Sequence, residues 1–331
     1  MWYDENSKDF DVAISTRIRI ARNLNDFKFP HTLNKKQANE VLNKIKQVTN
    51  KEKYDYFYTK DIDDSTLLSL VEKHLISKEF INLENTAILQ SKDSSIVCMI
   101  NEEDHLRIQG FVGGFDVEKC YDKIKAFENE MSEKLEFAKS DKYGYLTSCP
   151  TNVGTGVRVS VLLHLQGLAT LGILDDILNQ VRDIGLSVRG LYGENTSGYG
   201  HMYQISNQKT LGITDLDIVS KVSIVVSSLI EQERRARNII KARGADFEDK
   251  VYRAYGILKN ARKISEDEAF KLLSFVRIGA SINMLKDLNI TNVQNVFNNM
   301  QTNSLKLLLK QDMDAKEEQI KRAKYIREEL R

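Results

Sequence analysis

Five arginines fall in segments that read as strands or loops rather than as helix surfaces. Arg17 and Arg19 lie two apart in Ser15-Thr16-Arg17-Ile18-Arg19, so on a strand both point to one face. Arg107 closes the string Asn101-Glu102-Glu103-Asp104-His105-Leu106-Arg107, and Arg158 follows Cys149-Pro150-Thr151-Asn152-Val153-Gly154-Thr155-Gly156-Val157. Arg189 opens Arg189-Gly190-Leu191-Tyr192-Gly193-Glu194. Any one of them alone reads most simply as a surface ion pair. Several converging guanidinium groups can instead neutralise a triphosphate through charge-assisted, often bidentate hydrogen bonds. Other phosphate-binding signatures are missing: no G-x-x-x-x-G-K-[ST] loop, no H-R-D or D-F-G pair, and Gly154-Thr155-Gly156 does not extend to G-x-G-x-x-G because position 159 is valine.

In this order and spacing, from Ser15 to about Ser206, these strings resemble the phosphagen (guanidino) kinases, the family of arginine and creatine kinases. The Asn-Glu-Glu-Asp-His-Leu-Arg and Cys-Pro-Thr-Asn-x-Gly-Thr strings are long and specific. The resemblance implies an α+β fold, an antiparallel sheet flanked by helices, with ATP and Mg²⁺ as the phosphoryl donor and the metal held by ATP and water. It assigns nucleotide contacts to Ser15, Thr16, Arg17, Ile18, Arg19, Arg107, Arg158 and Arg189. His74, in Val71-Glu72-Lys73-His74, looks like the family's nucleotide-contacting histidine; by itself it reads as helix surface.

The acceptor chemistry then accounts for the acids. A guanidinium keeps its proton in water, with a pKa above about 12, and offers no lone pair to phosphorus. Two carboxylates gripping its N–H groups can align one nitrogen with the γ-phosphate and take the departing proton. By the resemblance these are Glu103 and Glu194; the sequence alone does not choose among Glu102, Glu103 and Asp104. Cys149 matches the family's reactive cysteine, which a cationic substrate draws toward thiolate. Cys98 and Cys120 read as small buried apolar residues.

Two departures narrow the match. Small-molecule guanidino kinases carry a helical domain ahead of the Ser-x-Arg-x-Arg strand, whereas here that strand begins at Ser15 and extra helices follow the catalytic region. The family's Arg-Gly-x-Arg-Gly-Glu is replaced by Arg189-Gly190-Leu191-Tyr192-Gly193-Glu194. Both resemble the bacterial protein-arginine kinase branch, which implies protein substrates, an activator McsA, the stress repressor CtsR, and the ClpC–ClpP protease that receives arginine-phosphorylated proteins. Many members of that branch carry an Arg-Asp-x-x-Arg-Ala string near the C-terminus that docks phosphoarginine. Here it reads Glu318-Gln319-Ile320-Lys321-Arg322-Ala323, which retains Arg322 without the leading pair. The plainer reading of residues 317–331 is a charged terminal helix with i,i+4 pairs on its solvent face.

The elements that must position these groups follow from periodicity. Alternating or apolar runs predict strands at Val12–Ile20, Tyr54–Thr59, Thr86–Leu89, Ser95–Ile100, Leu106–Phe111, Val157–Leu165, Leu186–Leu191 and His201–Ser206. Amphipathic spacing predicts helices at Lys35–Val48, Ser65–Ile76, Asp116–Phe137, Ala169–Ile184 and Asp215–Lys241. From Asp246 onward only helical periodicity remains, with breaks near Lys263, Leu288 and Thr302 and an N-cap at Ser265-Glu266-Asp267-Glu268. The short strands of residues 86–111 leave no room for crossover helices, so that part of the sheet is expected to be antiparallel. The expected division is a catalytic domain over 1–243 and a helical domain over 244–331, the latter for dimerisation, partner binding or phosphoarginine docking.

A chain of 331 residues with 29% charged residues and a net charge of +1 gives no bulk electrostatic attraction to nucleic acid or membrane. The polar opening and three unpatterned cysteines suit a cytoplasmic protein with reduced thiols. Three readings remain open: a protein-arginine kinase, a kinase of a small guanidino compound such as free arginine, and a non-catalytic adaptor for CtsR or ClpC on the same fold.

Overall fold

In the alternating run at the start of the chain, Ile18 and Ile20 are fully buried while Ser15, Arg17 and Arg19 are partly exposed. This forms β1 (Ala13–Arg22), with the arginine pair on its open face. The computed structural model describes residues 7–190 and 199–331. After β1 come α1 (Lys35–Val48), β2 (Tyr54–Tyr58) and α2 (Asp64–Glu72), then β3 (Ala87–Ser91), β4 (Ile96–Ile100) and β5 (Leu106–Gly113). Helix α3 (Val117–Ser132), a small hairpin of β6 (Lys139–Ser140) and β7 (Gly144–Tyr145), and β8 (Val157–His164) follow. The chain continues through α4 (Gln166–Leu171), α5 (Leu174–Asp183), β9 (Leu186–Gly190), β10 (Met202–Asn207) and the long α6 (Asp215–Ala242). Helices α7 (Ala245–Asn260), α8 (Glu266–Ser281), α9 (Ile290–Asn299), α10 (Thr302–Leu309) and α11 (Ala315–Glu329) complete it.

The larger sheet runs β2-β3-β4-β5-β1-β8-β10-β9. Strands β2 to β5 and then β1 pair antiparallel in succession, as the short connections require. The register sets Arg17 opposite Phe111, Arg19 opposite Gln109 and Ala21 opposite Arg107, so arginines of both strands share one face.

Several local readings are corrected. The segment 169–184 is two helices, because Gly172 takes a left-handed φ of 76° and ends α4. Helix α3 stops at Ser132, five residues short of the predicted Phe137 end. His74 is not on a helix: α2 ends at Glu72, and His74 itself adopts φ 57°. Leu75 and Ile76, buried with Leu67, Phe80, Ile88, Val97, Met99 and Phe111, anchor the turn that carries it.

Contacts divide the chain into two compact units. Of the described residues, one comprises 15–161 and 206–224, and holds β2 to β8 up to Val161. The other comprises 7–14, 162–190, 199–205 and 225–331. Its core includes Phe247, Val251, Phe270, Leu273, Val276, Val296 and Phe297. Inside it the fully buried Arg277 donates to the carbonyls of Phe10 and Asp11 at 2.7 and 2.9 Å. Arg237 pairs with Glu233 at 2.7 Å, and Glu233 in turn accepts the N–H groups of Gly167 and Leu168 that open α4. The expected cap on α8 is present, Ser265 accepting the Glu268 N–H at 3.2 Å. The terminal helix is not merely a charged surface. Arg322 is 1% exposed, donates to the Met300 carbonyl at 2.8 Å, and is ion-paired with Glu318 and Glu266.

Candidate active site

On the first unit, guanidinium groups gather on the face of β1, β5 and β8. Arg17 donates to the His74 carbonyl at 3.2 Å, and the Arg17 carbonyl accepts from Ser160 Oγ on β8 at 3.0 Å. Arg158 reaches Ser206 Oγ with Nε at 3.4 Å and Nη2 at 3.3 Å. Burial, then the neighbouring charges of Arg107 and Arg158, push Arg17 down to about 10. Like charges drawn together on a partly desolvated face favour an anion, and the set fits a polyphosphate better than any single carboxylate. Burial and then Arg17 also hold His74 down to about 4, so its ring is neutral at pH 7.

The three consecutive acids separate cleanly. The buried Glu102 accepts from Arg107 Nη1 at 2.5 Å, from Ser77 Oγ at 2.6 Å and from the Glu103 N–H at 2.9 Å. Burial raises the Glu102 carboxyl, but these partners outweigh it and leave it below its ordinary value. Asp104, 2% exposed, accepts from Asn23 Nδ2 at 2.6 Å and from the Ser148 N–H at 2.7 Å. Only Glu103 of the three is exposed. Burial, then the charges of Asp104 and Glu102, raise its carboxyl, partly offset by Arg107 and a hydrogen bond from Cys149. That carboxylate is thus the one placed to meet a cationic acceptor.

Cys149 is partly exposed, its Sγ 3.0 Å from Thr151 Oγ1, whereas Cys98 and Cys120 are fully buried. The loop after it is held by close backbone approach. Gly154, at φ 111°, accepts the Tyr145 N–H at 2.8 Å, and a Cβ there would fall 2.2 Å from the Thr210 carbonyl oxygen. Gly156, at φ 66°, leaves room for the Arg22 guanidinium, which pairs with Glu128 at 2.5 Å and stacks on Tyr145. Gly154-Thr155-Gly156 therefore serves chain packing.

The structure brings Arg17, Arg107 and Arg158 together, and ties the turn of Glu103 to the segment of Cys149 through the Asp104 carboxylate and the Ser148 N–H. Arg19 shares the β1 face with Arg17, and Ser15 is partly exposed beside it. The side chains of Thr16 and Ile18 turn away: Thr16 Oγ1 donates to the Gly114 carbonyl at 2.8 Å, and Ile18 lies in the core. Arg189 stands partly buried on β9, in the second unit. Glu194 lies outside the described residues. Sequence reasoning passed over Ser77 and Asn23 and left Glu102 and Asp104 undecided beside Glu103; all four hold the turns of the site from within. Their partners are up to 81 residues distant, so no local spacing marks them. Among the described residues no group of three or more His, Cys, Asp or Glu side chains forms a metal cluster, and no helix is long and apolar enough to cross a membrane.

Residues 35–236 match the family model of the ATP:guanido phosphotransferase C-terminal catalytic domain, and residues 244–331 match that of the protein-arginine kinase McsB C-terminal domain. A protein-arginine kinase of Clostridium acetobutylicum is 39% identical, over 100% of this chain and 99% of its own length. One from Clostridium kluyveri is 38% identical over 97% and 95%. Among solved structures, a lombricine kinase is similar in fold, with a TM-score of 0.61 and 24% identity over 70% of this chain and 69% of that one. A duplicated Schistosoma mansoni taurocyamine kinase gives a TM-score of 0.59 at 30% identity, over 67% of this chain and 33% of that one. With its arginine-lined face and with family matches to both its parts, the chain belongs to the ATP:guanido phosphotransferase family, in the protein-arginine kinase branch.

Proposed function

We propose that this chain is a protein-arginine kinase: it transfers the γ-phosphoryl group of ATP to arginine side chains of proteins. The observation that carries the reading is the continuity of the site: Arg107 shares the face of Arg17 and is ion-paired at 2.5 Å with Glu102, the residue before Glu103. A phosphate-binding face and an acceptor-binding acid therefore adjoin. The protein acceptor is supported by the full-length similarity to kinases so named, and by the helical C-terminal match.

In this reading Arg17, Arg19, Arg107, Arg158 and Arg189 bind the nucleotide phosphates and offset charge on the transferring group, the usual source of catalysis in this chemistry. Mg²⁺ enters with the nucleotide, held by its oxygens and water. Glu103 and Glu194 grip the acceptor guanidinium and fix one nitrogen toward the γ-phosphorus. As the N–P bond forms and the bond to the β-phosphate oxygen breaks, the guanidinium proton passes to a carboxylate and ADP leaves. The raised Glu103 carboxyl suits it to that acceptance. Cys149, on the segment that the Asp104 carboxylate holds through the Ser148 N–H, completes the acceptor side.

The functional division is a catalytic part over 1–243 and a helical part over 244–331 that serves dimerisation or partner binding. McsA, CtsR and ClpC–ClpP follow as partners, with marked proteins passing to Clp proteolysis. The free thiols support a cytoplasmic setting. Phosphoarginine docking at the 318–323 string is disfavoured, because the guanidinium of Arg322 is already occupied by Glu318 and Glu266.

The test is ³¹P NMR of the purified chain with Mg-ATP and either an arginine-rich protein or free arginine. An acid-labile P–N signal on protein alone, lost in Glu194→Gln while Mg-ATP still binds, is the expected result. A signal on free arginine makes the chain a metabolite kinase. No signal with either, even with an activator added, favours the adaptor.

A further inference from the structure

We propose that Asn23 is a positioning residue, one that sets the distance between Glu103 and Cys149; the inference rests on the reading that these two face the acceptor. Asn23 directly follows β1 and is 1% exposed. Its Oδ1 accepts the His105 N–H at 2.9 Å, and its Nδ2 donates to Asp104 Oδ1 at 2.6 Å and to the Leu146 carbonyl at 3.1 Å. The same Asp104 oxygen accepts the Ser148 N–H at 2.7 Å. One buried amide thus ties down the turn that carries Glu103, one residue before Asp104. Through Asp104 and Leu146 it also ties down the segment that carries Cys149, one residue after Ser148.

The chemistry calls for an amide. The site needs one acceptor and two donors from a short side chain, and only Asn has that inventory at that length. A carboxylate cannot donate and would face Asp104 and the Leu146 carbonyl; a hydroxyl has one proton and falls short. Because the bonds are buried, losing them leaves unpaired groups, and the two turns relax apart. A merely structural role would lower stability without altering how Glu103 and Cys149 sense each other.

The experiment uses the full chain with Asn23→Asp, which keeps the His105 acceptor, and Asn23→Ala, which keeps none. Thermal melting first establishes that each folds. Iodoacetamide labelling of Cys149, followed by mass spectrometry, is then compared with and without Glu103→Gln in each background. In the wild-type background Glu103→Gln changes the labelling rate, because it removes a negative charge from the turn whose Asp104 carboxylate holds the Ser148 N–H next to Cys149. In the Asn23→Asp background that effect is expected to fall to less than about half. Kinetically, kcat/KM for the protein acceptor is expected to fall about 10- to 100-fold, as for an ångström-scale misplacement, with Mg-ADP affinity within about twofold of wild type. A Glu103 effect of unchanged size in a folded Asn23 variant overturns the proposal, as does unfolding of both variants, which would make Asn23 a stability residue only. If the wild-type chain transfers no phosphoryl group while the labelling effect behaves as expected, the kinase reading fails and the positioning role stands.

Discussion

At the scale of single residues, charge alone does not assign a role; the partners do. Glu102, Glu103 and Asp104 are equivalent in sequence, yet one carboxylate holds Arg107, one stands exposed and one holds the Cys149 segment. The arginines were legible because a spacing of two on a strand fixes a face, a local property. The choice among the acids was not, because Ser77, Asn23 and Ser148 lie 25, 81 and 44 residues from the acids they bind. The assigned roles make Arg158→Ala informative. It removes one charged donor set from the arginine face while Arg17 and Arg107 remain. Isothermal titration with Mg-ADP should show affinity weakened by about 10- to 100-fold, the equivalent of about 1.5–3 kcal/mol for hydrogen bonds to a charged group. Unchanged affinity would remove Arg158 from nucleotide binding.

At the scale of elements, the helices with clear caps were readable to within a few residues. Asn34 closes a capping box on α1 with Gln37, and Ser265 caps α8. Readings failed where one backbone torsion overrode an apolar period. Gly172 splits the predicted 169–184 helix, and the left-handed His74 takes a nucleotide-contact candidate off α2. The loop after Cys149 rests on the same kind of local constraint. Gly154→Ala places a methyl group against the Thr210 carbonyl at an unfavourable φ of 111°. The loop must shift, so a stability loss of about 1–3 kcal/mol is expected, with a larger fractional loss of phosphoryl transfer. Thermal melting and initial rates on the same preparation measure both; full activity in the variant would show that the loop tolerates displacement.

At the scale of the whole molecule, histidines couple stability to pH. Burial holds His74 and His105 down to about 4, and burial together with Arg277 and Arg237 holds His164 well below its ordinary value of 6.5. The unfolded chain takes up these protons as pH drops through about 6.5, whereas in the folded chain His74 and His105 hold off until about 4 and His164 likewise resists protonation. Stability is therefore full above that window and is lost on acidification through it. The melting temperature should fall from pH 7.5 to pH 5, and His105→Gln should flatten the dependence; an equally steep fall in that variant would place the titration elsewhere. The order of the large sheet has a consequence for synthesis as well. Strand β1 lies between β5 and β8, and the partner of Arg17 is Phe111, roughly 90 residues further along the chain. At ribosomal speeds of about 5–20 residues per second, the strand waits roughly 5–20 s for its first neighbour and longer for its second. Throughout that interval Ile18 and Ile20 have no sheet to bury them, so the nascent β1 offers its apolar face to a chaperone.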